Sequence, residues 1–351
     1  MRNKDNGIIY IYKLKGKMKI SRMVLTLFLF LLNTGGRLDA QDNDLSAYRW
    51  KIVQTDQKPA KRHESSMVIF EGEIYLIGGR GIHPVNVFNP DTNTWTERGK
   101  TPFEIHHFQA VPYKDRIYFL GAMTGKYPNE TPLANIWIYK PKTDEWEKGD
   151  LIPEDRRRGG AGAVVYGDKI FIVCGIEFGH TSGTNNYFDS YDLKTGEWKK
   201  LTKAPHIRDH FSALVINHEL YLIGGRNTSY HLPNKFGAFF GQTNPYIDVY
   251  NFETQMWITL KEKLPVPSAA GGLVHLNSYI IYFGGESGQK LAHPECYGFN
   301  LKKREWIQLD YLNVGRHGGG SVVLGDKVYT AAGSPKRGGG NMNSMEVFTD
   351  E

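Results

Sequence analysis

Histidine, arginine and tyrosine residues cluster between Arg208 and Trp257, around a long polar and aromatic segment. Histidine and tyrosine side chains can transfer protons to and from a substrate, and arginine can bind a carboxylate through two parallel hydrogen bonds. In this stretch His210, Arg226 and Tyr246 stand in three separate segments, each beside an apolar run typical of a β-strand. These residue types indicate acid–base chemistry on an anionic ligand, provided that the fold brings the three segments together.

The elements that would position them form an internal repeat of roughly fifty residues. Each repeat has two apolar strands, a pair of small residues, a variable loop, and a third strand that leads through Asp or Asn to a tryptophan. The tryptophans are Trp50, Trp95, Trp146, Trp198, Trp257 and Trp306, and the small pairs begin at Gly78, Gly121, Cys174, Gly224, Gly284 and Ala332. No long stretch after the first forty residues has the 3.6-residue period of a helix, so the pattern predicts an all-β protein.

Four short strands per repeat, with the small pair and the terminal tryptophan, resemble the kelch repeat. The resemblance covers residues 47–349 in six copies and implies a six-bladed kelch-type β-propeller. The sixth copy lacks its own tryptophan strand, so we expect an N-terminal strand around Trp50 to complete blade six and close the ring. We predict a single propeller domain over residues 41–351.

The kelch register also implies which residues reach the face on which kelch propellers bind ligands. It places His107 and His210 at the channel mouth, where three other blades carry only glycine or alanine. The long loop of the fourth repeat adds Tyr230 and His231, and loops of such length are usually functional. The same register places further polar and aromatic residues on this face: Arg80, Arg158, Arg208, Arg226, Arg316, Asn135, Tyr187 and Tyr246. We therefore expect a cationic, aromatic pocket that binds an acidic oligosaccharide.

In residue types the predicted pocket is similar to that of propeller-fold polysaccharide lyases and dehydratases that act on uronic acids, including ulvan. This resemblance implies β-elimination, in which the substrate carboxylate is neutralised while a base and an acid transfer protons. The predicted catalytic residues are His210, Tyr246, Arg226, His107 and Tyr187, and the remaining residues of the face are predicted to bind substrate. The sequence predicts neither a cofactor nor a metal site.

Two other functions fit the same pattern. Secreted kelch proteins that act as sialic-acid mutarotases need a similar anionic-sugar pocket, and a propeller can also bind a glycan or a protein without catalysis. A copper radical oxidase fits less well, because its crosslinked cysteine must lie in the pocket. Cys174 and Cys296 instead fall in predicted strands of non-adjacent repeats, so we expect two buried free thiols.

The first forty residues predict a signal peptide, with several lysines, the short apolar run 24–32 and a small residue, Ala40, at the cleavage position. The apolar run is too short to span a bilayer, so we expect no membrane span after cleavage. Residues 41–351 contain equal numbers of basic and acidic residues, which argues against nucleic acid as a ligand. Together with the resemblance to secreted bacterial kelch proteins, these features predict a secreted or periplasmic monomer.

Overall fold

The computed structural model of the protein describes residues 44–351, and the predicted signal peptide lies outside the described residues. The described chain forms six four-stranded antiparallel sheets arranged as the blades of a propeller. Three short 3₁₀ helices, Leu45–Ala47, Glu154–Arg156 and Phe236–Gly241, interrupt the strands. Among the described residues no helix is long and apolar enough to cross a membrane. The prediction of an all-β, six-bladed kelch propeller is confirmed.

The strands follow the chain blade by blade. Blade one contains β2 (Ser65–Phe70), β3 (Glu73–Gly78), β4 (Pro84–Asn89) and β5 (Thr94–Lys100). Blade two contains β6 (Val111–Tyr113), β7 (Arg116–Phe119), β10 (Asn135–Lys140) and β11 (Glu145–Leu151), with a small ribbon of β8 (Met123–Thr124) and β9 (Thr131–Pro132) in its loop. Blade three contains β12 (Gly162–Tyr166), β13 (Lys169–Gly175), β14 (Asn185–Asp192) and β15 (Trp198–Lys200). Blade four contains β16 (Ser212–Ile216), β17 (Glu219–Ile223), β18 (Tyr246–Asn251) and β19 (Met256–Lys263). Blade five contains β20 (Gly272–Leu276), β21 (Tyr279–Phe283), β22 (Cys296–Asn300) and β23 (Glu305–Gln308).

Blade six is closed by the N-terminal strand, as the repeat count predicts. It contains β24 (Gly320–Leu324), β25 (Lys327–Ala331), β26 (Met345–Thr349) and β1 (Arg49–Ile52). β1 pairs antiparallel with β26, so that Arg49 faces Thr349 and Trp50 faces Phe348. The two ends of the described chain are thereby joined in one sheet.

The core lies between adjacent blades and is built on a repeated aromatic pair. In every blade the tryptophan of the outermost strand packs against an aromatic residue of the third strand, with ring centroids 5.0–5.2 Å apart. The pairs are Trp95–Phe88, Trp146–Tyr139, Trp198–Tyr191, Trp257–Tyr250, Trp306–Phe299 and Trp50–Phe348. The recurrence explains why the tryptophan spacing predicts the blades. Cys174 and Cys296 are buried and free, as expected.

Six equivalent residues, which we call the axial ring, surround the channel: Glu64, His107, Gly160, His210, Ala270 and Gly318. All six have left-handed backbone conformation, with φ between 52° and 60°. Backbone hydrogen bonds of 2.6–3.2 Å connect each blade to the next through these positions, and the amide of Ser65 closes the circle by donating to the carbonyl of Gly318. The axial ring therefore fixes the height and direction of the side chains that face the channel.

A second repeated feature corrects the predicted role of three arginines. Arg158, Arg208 and Arg316 are each at most 2% exposed, and each donates to the backbone carbonyl at the end of the second strand of its own blade. Each guanidinium also forms an ion pair with an acidic residue of the third strand: Asp189, Asp248 and Glu346, respectively. These arginines brace the blades from inside and are absent from the lining of the axial pocket described below.

Candidate functional site

A cavity of about 400 Å³, which we call the axial pocket, opens above the axial ring. It is lined by His63, Glu64, Arg80, His107, Tyr127, His180, Arg226, Phe240, Glu286, Gly338 and Gly339. Small-molecule sites usually have volumes of about 300–1,000 Å³. Beneath it lies the channel between the axial-ring residues, including His210, and its free volume is only about 50 Å³. The axial pocket is thus large enough for a sugar ring, whereas the channel accommodates only a few water molecules or an ion.

Two loops provide the aromatic walls of the axial pocket. In the blade-four loop the 3₁₀ helix Phe236–Gly241 presents Phe240, and the guanidinium carbon of Arg226 lies 5.0 Å from its ring centroid. In the blade-two loop Tyr127 contacts the ring of His180 edge to face, at 5.0 Å between centroids. Aromatic faces of this kind can pack against a sugar ring.

The structure brings four of the predicted site residues together at the axis. His107, Arg80 and Arg226 line the axial pocket, and His210 lies in the channel directly beneath it. Arg80 belongs to the blade-one repeat and His107 to the blade-two repeat. Arg226 and His210 belong to blade four, so the site is shared between blades. Their catalytic roles remain predictions.

Two predicted catalytic residues lie elsewhere. The ring of Tyr246 stacks on His206, with centroids 4.1 Å apart and planes 9° apart. Tyr187 packs beneath the guanidinium of Arg156, at 3.9 Å from its ring centroid. Neither tyrosine lines the axial pocket. At Tyr246 the physical reason is a β-bulge, because the register of β18 against β19 shifts between Tyr246 and Asp248 and redirects the side chain.

Three predicted binding residues also have other positions. Asn135 donates to the carbonyl of Gly149 on the outer strand of its own blade. The ring of His231 stacks on Phe236, and both of its nitrogens contact backbone carbonyls, so it braces the blade-four loop. Tyr230 is in the same loop, about two-fifths exposed and outside the pocket lining.

Three histidines converge where the axial pocket meets the channel, and we call them the histidine triad: His107, His180 and His210. Each offers a ring nitrogen within 4.8 Å of the others, and all three residues are buried. The Nδ1 of His180 lies 3.0 Å from Glu130, and that of His210 lies 2.5 Å from Asp209. The Nε2 of His210 is buried without a hydrogen-bond partner. His180 is not among the predicted site residues, because it comes from a loop that the repeat register does not place.

The predicted cationic character of the pocket is wrong, because each lining arginine is paired with a glutamate. Arg80 forms an ion pair with Glu130, and Arg226 forms one with Glu286. Burial opposes the ionisation of Glu130, yet hydrogen bonds from His180 and Arg80 lower its pKa to about 2. Arg80 is only partly buried and donates to Glu130 from Nη2, which leaves its other N–H groups for a ligand.

His317 connects two carboxylates under the pocket. Its Nδ1 lies 3.5 Å from Glu64, and its Nε2 lies 3.4 Å from Glu286. Burial alone would lower the pKa of His317, but the charges of Glu286 and Glu64 outweigh burial and raise it. His107 shows the opposite balance, since burial lowers its pKa well below the usual range despite the nearby Glu64.

These shifts predict a pH dependence of stability. A raised folded-state pKa of His317 means that its charge stabilises the fold fully below the unfolded value of about 6.5. The contribution is then lost as the pH rises through the folded-state pKa. We expect the free energy of unfolding of wild type to fall as the pH rises above about 6.5, and to fall less in His317→Gln.

Urea unfolding at several pH values measures this difference. His275→Gln is the control, because the pKa of His275 is lowered by desolvation instead of raised, so its effect falls on the acidic side. An alkaline slope that is the same in wild type and in His317→Gln would contradict the assignment.

Comparison with known proteins agrees with this architecture. The profile of the KLHDC2/KLHL20/DRC7 Kelch-repeats domain matches residues 152–333. Kelch-like protein terF of Aspergillus terreus (strain NIH 2624 / FGSC A1156) is 28% identical over 78% of the chain. Kelch-like protein 40 of Xenopus tropicalis is 28% identical over 66% of it. The aligned segments cover 61% and 38% of these two relatives, respectively.

A solved structure titled "Structure of YjhT" superposes with a TM-score of 0.67 and covers 83% of this chain and 96% of the other. Its sequence identity is 15%, so the likeness concerns the fold alone. The repeat pattern, the six closed blades and the matching profile lead to one conclusion. The chain belongs to the family of the KLHDC2/KLHL20/DRC7 Kelch-repeats domain.

Proposed function

We propose that this propeller is a secreted or periplasmic, monomeric carbohydrate-active enzyme. It binds a uronic-acid unit of an acidic oligosaccharide in the axial pocket and acts by β-elimination, as a lyase or an oligosaccharide dehydratase. One observation carries the proposal: a single cavity combines an arginine with free donors, three histidines, the phenol of Tyr127 and the aromatic ring of Phe240. Such a set of convergent polar groups in a concave pocket is typical of an active site.

Binding of the sugar carboxylate is assigned to Arg80. Its guanidinium is held at one end by Glu130 and is about one-fifth exposed, so its position is fixed while donors remain free. A carboxylate accepts two parallel hydrogen bonds from such a group. Neutralising the carboxylate stabilises the negative charge that develops when the neighbouring proton is removed.

The base is assigned to His63 rather than to His210. The Nδ1 of His63 lies 2.6 Å from Oδ1 of Asn341, an acceptor, so that nitrogen carries the proton and Nε2 keeps its lone pair. His63 lines the axial pocket, whereas the free nitrogen of His210 is buried in the channel. Hydrogen bonding to Asn341 also fixes the ring orientation that a base requires.

The acid is assigned to Tyr127. Burial raises its pKa, so the phenol keeps its proton at neutral pH. In the proposed step, Nε2 of His63 removes the proton from the carbon that bears the carboxylate. The freed electron pair forms a double bond to the next carbon, the bond from that carbon to its oxygen substituent breaks, and Tyr127 protonates the departing oxygen.

The test is the ultraviolet absorbance of the new conjugated double bond during incubation with uronic-acid oligosaccharides. We expect a signal with at least one of alginate, pectin, glucuronan or ulvan fragments. His63→Ala and Tyr127→Phe should each lower kcat/KM by about 10²–10⁴-fold, the usual contribution of one proton-transfer group. Thermal unfolding should change little in Tyr127→Phe, because this side chain is half exposed.

Tyr311→Phe is the matched control, because Tyr311 is also partly exposed but lies outside the axial pocket. No absorbance with any of the four substrates would end the elimination proposal. Anomeric exchange of sialic acid, followed by NMR, would then indicate a mutarotase, and oligosaccharide binding without turnover would indicate a binding protein. Loss of activity in Tyr246→Phe but not in Tyr127→Phe would overturn the assignment of the acid.

A further inference from the structure

We infer that the histidine triad is a binding site for a divalent transition-metal ion of the zinc type. Three neutral imidazole nitrogens form a common ligand set for such ions, and catalytic zinc sites leave the fourth position open. The open position would face the axial pocket, because His107 and His180 line it. The inference does not rest on the proposed elimination, since metal binding is measured without a sugar.

The spacing of the triad fits an ion. Three nitrogens that lie within 4.8 Å of one another are at most about 2.8 Å from a common centre. Zinc–nitrogen bonds are about 2.0–2.1 Å long, so each nitrogen needs to move by about 0.7 Å or less. The ring centroids are 4.7–5.2 Å apart, and small rotations of the rings provide that movement.

Hydrogen bonding fixes which nitrogens are free. Nε2 of His106 contacts the carbonyl of Gly125 at 3.1 Å, so in the neutral ring Nε2 carries the proton and Nδ1 accepts. The Nδ1 of His107 lies 2.5 Å from the Nδ1 of His106 and must donate a hydrogen bond to it. Nε2 of His107 is therefore unprotonated, and it faces the carboxylate of Glu64 at 3.5 Å.

The other two histidines have the same arrangement. In His180 and His210 the Nδ1–H donates to a carboxylate, which leaves Nε2 as a lone pair. Histidine ligands of metals almost always donate their second nitrogen in this way, since the partner fixes ring and tautomer. For His210 the free Nε2 is buried with no partner, which is costly unless something occupies the site.

The surroundings are built around these nitrogens. Asp209 also accepts from Thr184 and Thr228, so its position is fixed. The carboxylates of Asp209, Glu130 and Glu64 adjoin the triad and offset the charge of a dication. The left-handed backbone that all six axial-ring residues share brings the side chains of His107 and His210 to the channel from two different blades.

The test uses the whole protein, dialysed against a chelator and titrated with Zn²⁺ or Co²⁺. We expect calorimetry to show one tightly bound ion per chain, and Co²⁺ to give the visible absorption of a low-coordinate nitrogen site. Glu130→Gln should weaken Zn²⁺ binding by about 10–100-fold, as loss of an outer-shell partner does. His180→Ala and His210→Gly each remove a ligand and should weaken binding by more than this.

His210→Gly removes the side chain and relieves the left-handed strain, so circular dichroism should show a folded protein. If that variant nevertheless unfolds, His180→Ala decides the matter, because His180 lies in a loop outside the axial ring. His218→Ala, which removes an exposed histidine, is the control and should bind Zn²⁺ like wild type. Absence of stoichiometric binding by wild type, or unchanged affinity in the triad variants, would overturn the inference.

Discussion

Asp248→Ala should lower the free energy of unfolding by about 3–5 kcal/mol, because it leaves the buried guanidinium of Arg208 without its counter-ion. The Asp248 carboxylate is fully buried, and Nη2 of Arg208 lies 2.6 Å from it. It also accepts hydrogen bonds from Thr259 and from His206. Denaturant unfolding of wild type and variant measures the loss.

Two comparisons make this prediction specific. Glu253→Ala removes a carboxylate whose ion pair with His218 is largely exposed, and it should change stability by no more than about 0.5 kcal/mol. The double variant Arg208→Met, Asp248→Ala removes both charges. It should be more stable than the sum of the single effects predicts, by about 0.5–3 kcal/mol. Strict additivity would show that the pair does not act as a buried ion pair.

Trp50→Ala should lower the free energy of unfolding by about 3–5 kcal/mol. It should also weaken the pairing of β1 with β26, which closes the propeller. Trp50 is 4% exposed and packs between Phe283 of blade five and Phe348 of blade six. Unlike the other outer strands, β1 is not joined to its neighbour by a hairpin. Side-chain packing, the strand pairing and hydrogen bonds of the Trp50 backbone with Asp310 and Asn313 hold it there. Hydrogen exchange of the β26 amides should therefore accelerate along with the loss of stability.

Trp306→Ala is the matched variant, because Trp306 occupies the same place in blade five on a strand tethered by a hairpin. It should destabilise blade five without faster exchange in β26. If Trp50→Ala leaves hydrogen exchange in β26 unchanged, the pairing of β1 with β26 does not depend on this residue.

The repeat made the fold predictable, because its signals are local and recur in every copy. Each tryptophan marks an outer strand, and each small pair lies at the end of a second strand. At Gly225 a small residue is required, because a Cβ there would lie 2.9 Å from the carbonyl oxygen of Asp209. The missing sixth tryptophan strand then required Trp50. Because the register is shared, it also placed His107 and His210 on the axial ring.

Some predicted site residues lie outside the axial pocket, either because the strand register is irregular at their position or because they are buried inside a blade. The bulge at the start of β18 redirects Tyr246, and its position could not be read from strand alternation. The bracing arginines had a signal that was overlooked: Asp189, Asp248 and Glu346 are acids at matching places in three third strands. An acid inside an apolar strand needs a buried cation, which these arginines supply.

Other site residues were missed for different reasons. His63 and His317 stand one position before the axial ring, as His106 and Asp209 do, so the same count could have found them. His180 and Tyr127 belong to loops of irregular length. Their positions depend on the folding of those loops over the channel, which no repeat pattern encodes.

The pairing of β1 with β26 has a consequence for the order of events during biosynthesis. At about 5–20 residues per second, Thr349 leaves the ribosome roughly 15–60 s after Arg49, its partner in the sheet. During that time β1, the first of the described strands, has no partner, and unpaired strands can pair with other chains. Its exposed Arg49 and Lys51 provide the charges that discourage such pairing. Among the described strands β1 is thus synthesised first, but it can pair only after β26 has been made, and its basic residues disfavour other pairings until then.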